Sequence, residues 1–207
     1  MTAEEPDRAQ PATVHVVDDD SAVRRSLAVA LKIRGLLPRC YAGAHEFLER
    51  YTEAKPECLV LDVRMPGMSG LELQSVLRDR GIDIPIVFVT GHGEVPMAVR
   101  AMKAGAADFV EKPFSMDTLL EGIARSVDAD AQSLQNRRRR AEANALLATL
   151  TPREREVMDL LVDGKLNKMI AVELGISVRT VEVHRSRIMQ KLHARSLSDI
   201  VRLALSA

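Results

Sequence analysis

Residues 13 to about 128 are predicted to form an α/β unit on a five-stranded parallel sheet, and the end of the 207-residue chain a small all-α unit. Three observations lead there. Up to about residue 128, short apolar runs alternate with longer amphipathic ones, five of each, which is the pattern of a parallel sheet covered on both faces. From residue 150 onward only the helical period remains. The charge divides at the same place. Residues 1–130 carry 15 Lys+Arg against 21 Asp+Glu, a balance of −6, and residues 131–207 carry 14 against 8, a balance of +6, beneath a formal net charge of zero. That asymmetry suggests separate jobs, with the basic part a candidate for nucleic acid.

Taken in order, Thr13–Val17 reads as a strand and residues 22–34 as a helix closed by Gly35, with Val23, Leu27, Ala30 and Leu31 on one face. Residues 37–41 form a weak strand, 44–51 a helix, 58–61 a buried strand and 71–80 a helix. PIVFVT, residues 85–90, is the clearest strand. Residues 95–104 follow as a helix, 108–110 as a strand and 116–127 as a helix. Residues 129–148 are polar, rich in Ala, Gln and Arg, and free of Gly and Pro, so they read as a helical linker that can continue the preceding helix. Arg137–Arg140 lie in it, either as a solvated face or as contacts to phosphate. Thr151-Pro152-Arg153-Glu154 is a capping box with proline at the first helical position. It starts a helix to about Val162, followed by helices over 167–174, 178–193 (capped by Ser177) and 197–205, with Gly164 and Gly175 as stops.

Composition excludes several classes. No run approaches the roughly 18 apolar residues of a membrane span. Residues 1–12 are polar, with no basic start or apolar core, so they read as a disordered leader rather than a signal peptide. The expectation is a soluble cytoplasmic protein. Cys40 and Cys58 have no metal or redox spacing and read as reduced thiols in or near strands, which disfavours zinc. Aromatic content of 3% without Trp argues against stacking-based single-strand binding.

Ligands of open parallel sheets bind beyond the C-terminal strand ends. The first strand ends in Asp18-Asp19-Asp20, the third in Asp62 and the fourth in Thr90, while Lys112-Pro113 follows the fifth. Crowded carboxylates repel unless a cation neutralises them, and Mg²⁺ suits one or two carboxylates plus phosphate oxygens. An aspartate can attack a phosphoryl group and form an acyl phosphate, with a Lys and a hydroxyl neutralising its oxygens. Asp62, Lys112 and Thr90 fit those roles. Asp20 reads as a helix cap or solvated acid, His92 as a turn residue, and Met65 and Met68 as loop and core packing.

Together VVDDD, LDVRMPGMSGLEL, VTGHGEVPMAV and DFVEKPF resemble the receiver domain of response regulators, in order and spacing, over about 115 residues. The resemblance implies a doubly wound, flavodoxin-like receiver over 13–128. It implies that Asp18, Asp19, Asp62 and the main-chain carbonyl of Arg64 bind Mg²⁺, that Asp62 accepts the phosphoryl group, that Thr90 and Phe109 form a switch pair, and that the Lys112–Pro113 bond is cis. Ser69 stands where many receivers have Asp, outside the metal ligands.

LTPREREVMDLLVDGKLNKMIAVELGISVRTVEVHRSRIMQKLHARSLSDIVRLAL resembles the LuxR-type helix-turn-helix domain, here 149–207. At 100° per residue, Ile188 and Leu192 fall within about 20° of Val181 and face the core. Arg179, Val183, Ser186 and Gln190 lie opposite, flanked by Glu182 and Arg187. An exposed Val suits a thymine methyl, and Arg suits guanine or phosphate. The resemblance adds Thr180 to the DNA face, gives Glu182, Val183 and Ser186 the base-reading positions, and makes Lys168 and Lys191 phosphate contacts.

The two resemblances together imply a FixJ/NarL-type two-component response regulator, leaning to FixJ. They imply that a sensor histidine kinase phosphorylates Asp62. The chain then dimerises through residues 95–104 and 108–110 and binds double-stranded promoter DNA to regulate transcription, with RNA polymerase as a further possible partner. It would be no enzyme apart from Mg²⁺-dependent phosphorylation and dephosphorylation of its own aspartate. A phosphatase with an aspartate nucleophile would need that nucleophile on the first strand and a capping insert. A phosphorylated module whose C-terminal unit binds protein would show no salt-sensitive DNA binding.

Overall fold

Side-chain alternation along each strand dictates the first unit. A computed structural model of the chain describes residues 11–91 and 95–206, and His92 lies outside them. Five strands, β1 (Thr13–Val17), β2 (Leu37–Tyr41), β3 (Glu57–Asp62), β4 (Ile86–Thr90) and β5 (Asp108–Glu111), pair in parallel in the order β2-β1-β3-β4-β5. Between them run α1 (Ser21–Ile33), α2 (Ala44–Arg50), α3 (Gly70–Asp79) and α4 (Val95–Lys103), and α5 (Met116–Leu147) follows. Val14, Val16, Cys58, Val60, Val87 and Val89 pack on one face against Leu27 and Leu31 of α1 and Leu119 and Ile123 of α5. Val17, Leu59, Leu61, Ile86 and Phe88 pack on the other against Phe47 of α2, Leu73 and Leu77 of α3 and Ala101 of α4. A period of two with both faces apolar therefore gives strands that read as continuous hydrophobic runs. β1 is where the strand order reverses, so the crevice between β1 and β3 at their C-terminal ends is the natural ligand site.

The expected leader over 1–12 falls mostly outside the described residues. Its last residue is not free, because Ala12 is buried and its carbonyl accepts a hydrogen bond from Leu37 N at 2.9 Å, extending the β1–β2 ladder by one step. Later in the sequence α5 runs through Leu147, twenty residues past the predicted stop at 127, because the segment lacks helix breakers. The chain divides into two compact units between Leu134 and Gln135, inside this helix. Residues 129–148 are thus not a bare linker: Asp130 is buried in the first unit and Leu147 in the core of the second.

Asp130 belongs to a buried polar network at the N-terminal pole of the sheet. Its Oδ1 pairs with Lys55 Nζ at 3.0 Å and its Oδ2 accepts from Glu57 N at 3.0 Å. The Glu57 carboxylate in turn accepts from Tyr51 OH at 2.6 Å and lies 3.2 Å from His15 Nε2. Of the two free cysteines, Cys40 is exposed and Cys58 is buried, where burial pushes the thiol up to about 12 and leaves it inert.

In the second unit α6 (Pro152–Val162), α7 (Asn167–Leu174), α8 (Val178–Lys191) and α9 (Leu197–Ser206) close around Val157, Met158, Leu161, Ile170, Val181, Ile188 and Ile200. Gly175, at φ 62, makes the left-handed turn between α7 and α8 that a side chain would strain. The expected end of α8 at His193 falls two residues earlier, with His193 itself at positive φ. Among the described residues no helix is long and apolar enough to cross a membrane.

Candidate functional site

Four strand ends converge. Asp18 follows β1 and is buried; Asp62 ends β3 and is buried; Thr90 ends β4 and is buried; Lys112 follows β5. Lys112 Nζ donates to Asp18 Oδ2 at 2.9 Å and to Asp62 Oδ1 at 3.1 Å, so one ammonium bridges both carboxylates. Lys112 N also donates to the Thr90 carbonyl at 2.7 Å, continuing the β4–β5 ladder into the site, and the Lys112–Pro113 bond is cis.

Burial raises the Asp62 carboxyl above its ordinary range, and neighbouring Asp18 adds to this against the opposing pull of Lys112. The same burial opposes the Lys112 charge, yet the two carboxylates prevail and hold its ammonium above the usual value. The second Asp62 oxygen accepts from Arg64 N at 2.9 Å, which ties down the loop that carries the Arg64 carbonyl. Asp18 Oδ1 accepts from Asp20 N at 2.8 Å, and Asp20 caps α1 by accepting from Ala22 N at 2.7 Å. Asp19 is exposed. The three carboxylates named from sequence do not form a metal-type cluster: among the described residues no group of three or more His, Cys, Asp or Glu is arranged to hold a metal ion. Two of them, Asp18 and Asp62, do meet, and Lys112 supplies the positive charge between them. Mg²⁺ takes only one or two carboxylates and fills its remaining positions with other oxygens, so Asp18, Asp62 and the Arg64 carbonyl are a suitable donor set.

Phe109 is half-buried on β5, its ring 6.4 Å from that of Phe88. Thr90 and Phe109 lie on neighbouring strands, with Phe109 opposite Phe88 two residues before Thr90. Sequence reasoning missed two residues here. Arg24 Nη1 donates to the Asp18 carbonyl at 2.6 Å, which fastens the first turn of α1 to the end of β1. Gly70 starts α3 against β3, and a Cβ there would overlap the Asp62 carbonyl. Neither has a local signal, since each contact joins separate elements.

The second candidate face is α8. Val181, Ile188 and Leu192 are buried, as their angles require. Arg179, Glu182, Ser186, Arg187 and Gln190 are exposed, and Val183 is 43% exposed among them. Thr180 is half-buried and its hydroxyl lies 2.8 Å from the Ser177 hydroxyl, in the cap of α8. Lys168 is exposed on α7. Lys191 is placed differently: its ammonium donates to Glu154 Oε2 at 2.6 Å and to the Thr149 carbonyl at 3.0 Å, within the unit. Arg185 donates to Asn167 Oδ1 at 2.6 Å, locking α8 to the start of α7; it too was not singled out from sequence.

Comparison with known proteins matches both units. Residues 14–124 match the response regulator receiver domain, and residues 148–204 match the bacterial regulatory proteins of the luxR family. The transcriptional regulatory protein FixJ of Azorhizobium caulinodans is 47% identical over 194 residues, covering 94% of this chain and 92% of the relative. The response regulator protein TodT of Pseudomonas putida is 42% identical over 197 residues, covering 95% and 86%. Among solved structures, the response regulator StyR aligns with a TM-score of 0.84 at 46% identity, covering 95% of this chain and 100% of that one. Full-length FixJ from B. japonicum aligns at 0.60 and 40% identity, covering 96% and 98%. The chain belongs to the response regulators that join a receiver domain to a LuxR-type DNA-binding domain, a family of transcriptional regulators.

Proposed function

We propose that Asp62 is the phosphoacceptor of this regulator and that its phosphorylation, by a sensor histidine kinase, controls promoter binding by α8. The observation that carries the reading is the single Lys112 ammonium shared by Asp62 Oδ1 and Asp18 Oδ2 at the C-terminal strand ends. Asp62 attacks phosphorus, the new O–P bond replaces the N–P bond of a phosphohistidine, and the leaving imidazole takes up a proton. Lys112 then contacts a phosphoryl oxygen in place of part of its bond to Asp62. The Thr90 hydroxyl takes another, and Phe109 responds from the adjoining strand. Asp18, Asp19, Asp62 and the Arg64 carbonyl would hold Mg²⁺, which when bound supplies the charge neutralisation that phosphoryl transfer requires. Water then attacks phosphorus, the Asp62 O–P bond breaks, and inorganic phosphate leaves with the carboxylate restored.

Phosphorylation shifts an existing equilibrium toward a dimer. Val99 and Met102, 45% and 46% exposed on α4, support the face built from α4 and β5 as its contact. In that state Glu182, Val183 and Ser186 read bases, while Arg179, Thr180, Arg187 and Lys168 engage the flanking groups of double-stranded promoter DNA. The receiver would span residues 13 to about 134, with the DNA-binding unit after it. The chain works in the cytoplasm, and RNA polymerase is the partner its promoter-bound form would meet. Asp62→Asn is nearly isosteric but cannot accept the group, so mass spectrometry after treatment with a small-molecule phosphodonor and Mg²⁺ should show one added phosphoryl in the wild type and none in the variant. EDTA should block the addition; addition at full extent in the variant would refute the assignment.

A further inference from the structure

The strongest positive feature outside the helix-turn-helix is the arginine run of α5. Arg137–Arg140 supply four of the 14 basic residues of 131–207. All four are exposed. Arg137 is engaged, but Arg138, Arg139 and Arg140 make no side-chain hydrogen bond or ion pair among the described residues. The run lies in the C-terminal unit, which begins at Gln135. Seven residues turn a helix by about 700°, within about 20° of two full turns. Arg139 and Arg140 therefore stand two turns before Leu146 and Leu147 on the same face of α5, and Leu146 and Leu147 are packed into the core of that unit. The face that buries Leu147 and half-buries Leu146 in the DNA-binding unit thus continues, about 10 Å toward the helix N-terminus, as the guanidinium groups of Arg139 and Arg140. Within the run Arg137 and Arg140 stand one turn apart on α5, where like charges repel. A polyanion beside the same unit would relieve that repulsion.

From this we infer that Arg139 and Arg140, with Arg138, contact DNA phosphates outside the sequence read by α8, extending the footprint of the DNA-binding unit. The inference rests on the reading of α8 as a DNA-contacting helix and deepens it. The guanidinium forks suit phosphate oxygens, and such contacts add affinity without sequence information. Their occupant is the flanking duplex of the same DNA molecule.

The test uses the full chain, treated with a phosphodonor, and an operator obtained by in vitro selection on it. Fluorescence anisotropy compares a duplex confined to the selected sequence with one extended by a helical turn on each side, at several salt concentrations. The wild type should bind the longer duplex several-fold more tightly. Arg139→Gln/Arg140→Gln, which preserves helix propensity, should abolish that advantage and lower the salt slope by about 0.9 for each phosphate that the variant no longer neutralises. Arg139→Lys/Arg140→Lys should retain most of both. An unchanged slope and length advantage in the Gln variant, beside normal binding of the short duplex, would overturn this inference alone. No salt-sensitive DNA binding by the wild type would overturn the proposed reading of α8 with it.

Discussion

Lys191 Nζ lies 2.6 Å from Glu154 Oε2, so the last turn of α8 is bolted to the first turn of α6. Glu154 also closes the capping box, accepting from Thr151 N at 2.8 Å. The bond from Lys191, followed by that from Thr151, holds the Glu154 carboxyl down at about 2, against an ordinary 4.5. A depressed folded-state value means that the stabilisation is complete above about 4.5 and is lost as pH falls toward 2. Helicity of the C-terminal unit, followed by thermal melts from pH 6 to pH 2, should weaken across that window. Glu154→Gln should lower stability by about 1 kcal/mol at pH 7, since Lys191 is partly open to solvent, and should flatten the acid dependence. An unchanged acid profile in the variant would show that the pair contributes nothing.

Asp130 should matter to the stability of the receiver although it lies beyond the predicted end at 128. Asp130→Ala leaves the buried Lys55 ammonium with Glu57 Oε1, at 3.6 Å, as its remaining carboxylate. The cost should be about 3 kcal/mol, the low end for removing one partner of a buried pair, because Glu57 remains. Guanidinium unfolding should show the first unit's midpoint falling with little change in slope.

Gly70→Ala should impair both packing and phosphorylation. The new Cβ meets the Asp62 carbonyl, a backbone atom that cannot swing aside, so α3 must retreat from the strand that ends in Asp62. A stability loss of about 1–3 kcal/mol is expected, together with slower labelling by a small-molecule phosphodonor. Gly43→Ala is the control, because a Cβ there has open space. Equal behaviour of the two variants would contradict the close approach.

On α8, affinity and specificity should separate. Val183→Ala and Ser186→Ala should each relax the preferred base at one operator position by on the order of 1–3 kcal/mol while sparing the salt slope. Lys168→Ala should weaken selected and scrambled duplexes alike and reduce the slope by about 0.9. Lys191→Ala is a poor companion, because it also releases Glu154.

The three inner strands β1, β3 and β4 were legible because they are buried on both faces, whereas the edge strand β2, mostly exposed, read only weakly; the site was legible because its residues sit at strand ends within recognisable motifs. The strand of residues 58–61 came out one residue short at each end, since Glu57 and Asp62 are acidic and yet buried. Partners distant in sequence left no trace, as with His15 and Glu57 or Lys55 and Asp130, and neither did the short-range bond from Arg24 to the Asp18 carbonyl, which joins separately read elements. The angular argument sorted α8 correctly into buried Val181, Ile188 and Leu192 and an exposed opposite face. It could not see that Lys191, at the border of that face, turns toward α6. The absence of Gly and Pro over 129–148 carried the length of α5, but not the point within it where one unit gives way to the next.

The most direct test of the account is the affinity of the full chain for its selected operator, before and after phosphodonor and Mg²⁺, in the wild type and in Asp62→Asn. The account predicts at least a several-fold tightening for the wild type and none for Asp62→Asn, whose unphosphorylated affinity should match that of the untreated wild type. Equal tightening in both proteins would contradict it, because control of DNA binding would then not pass through Asp62.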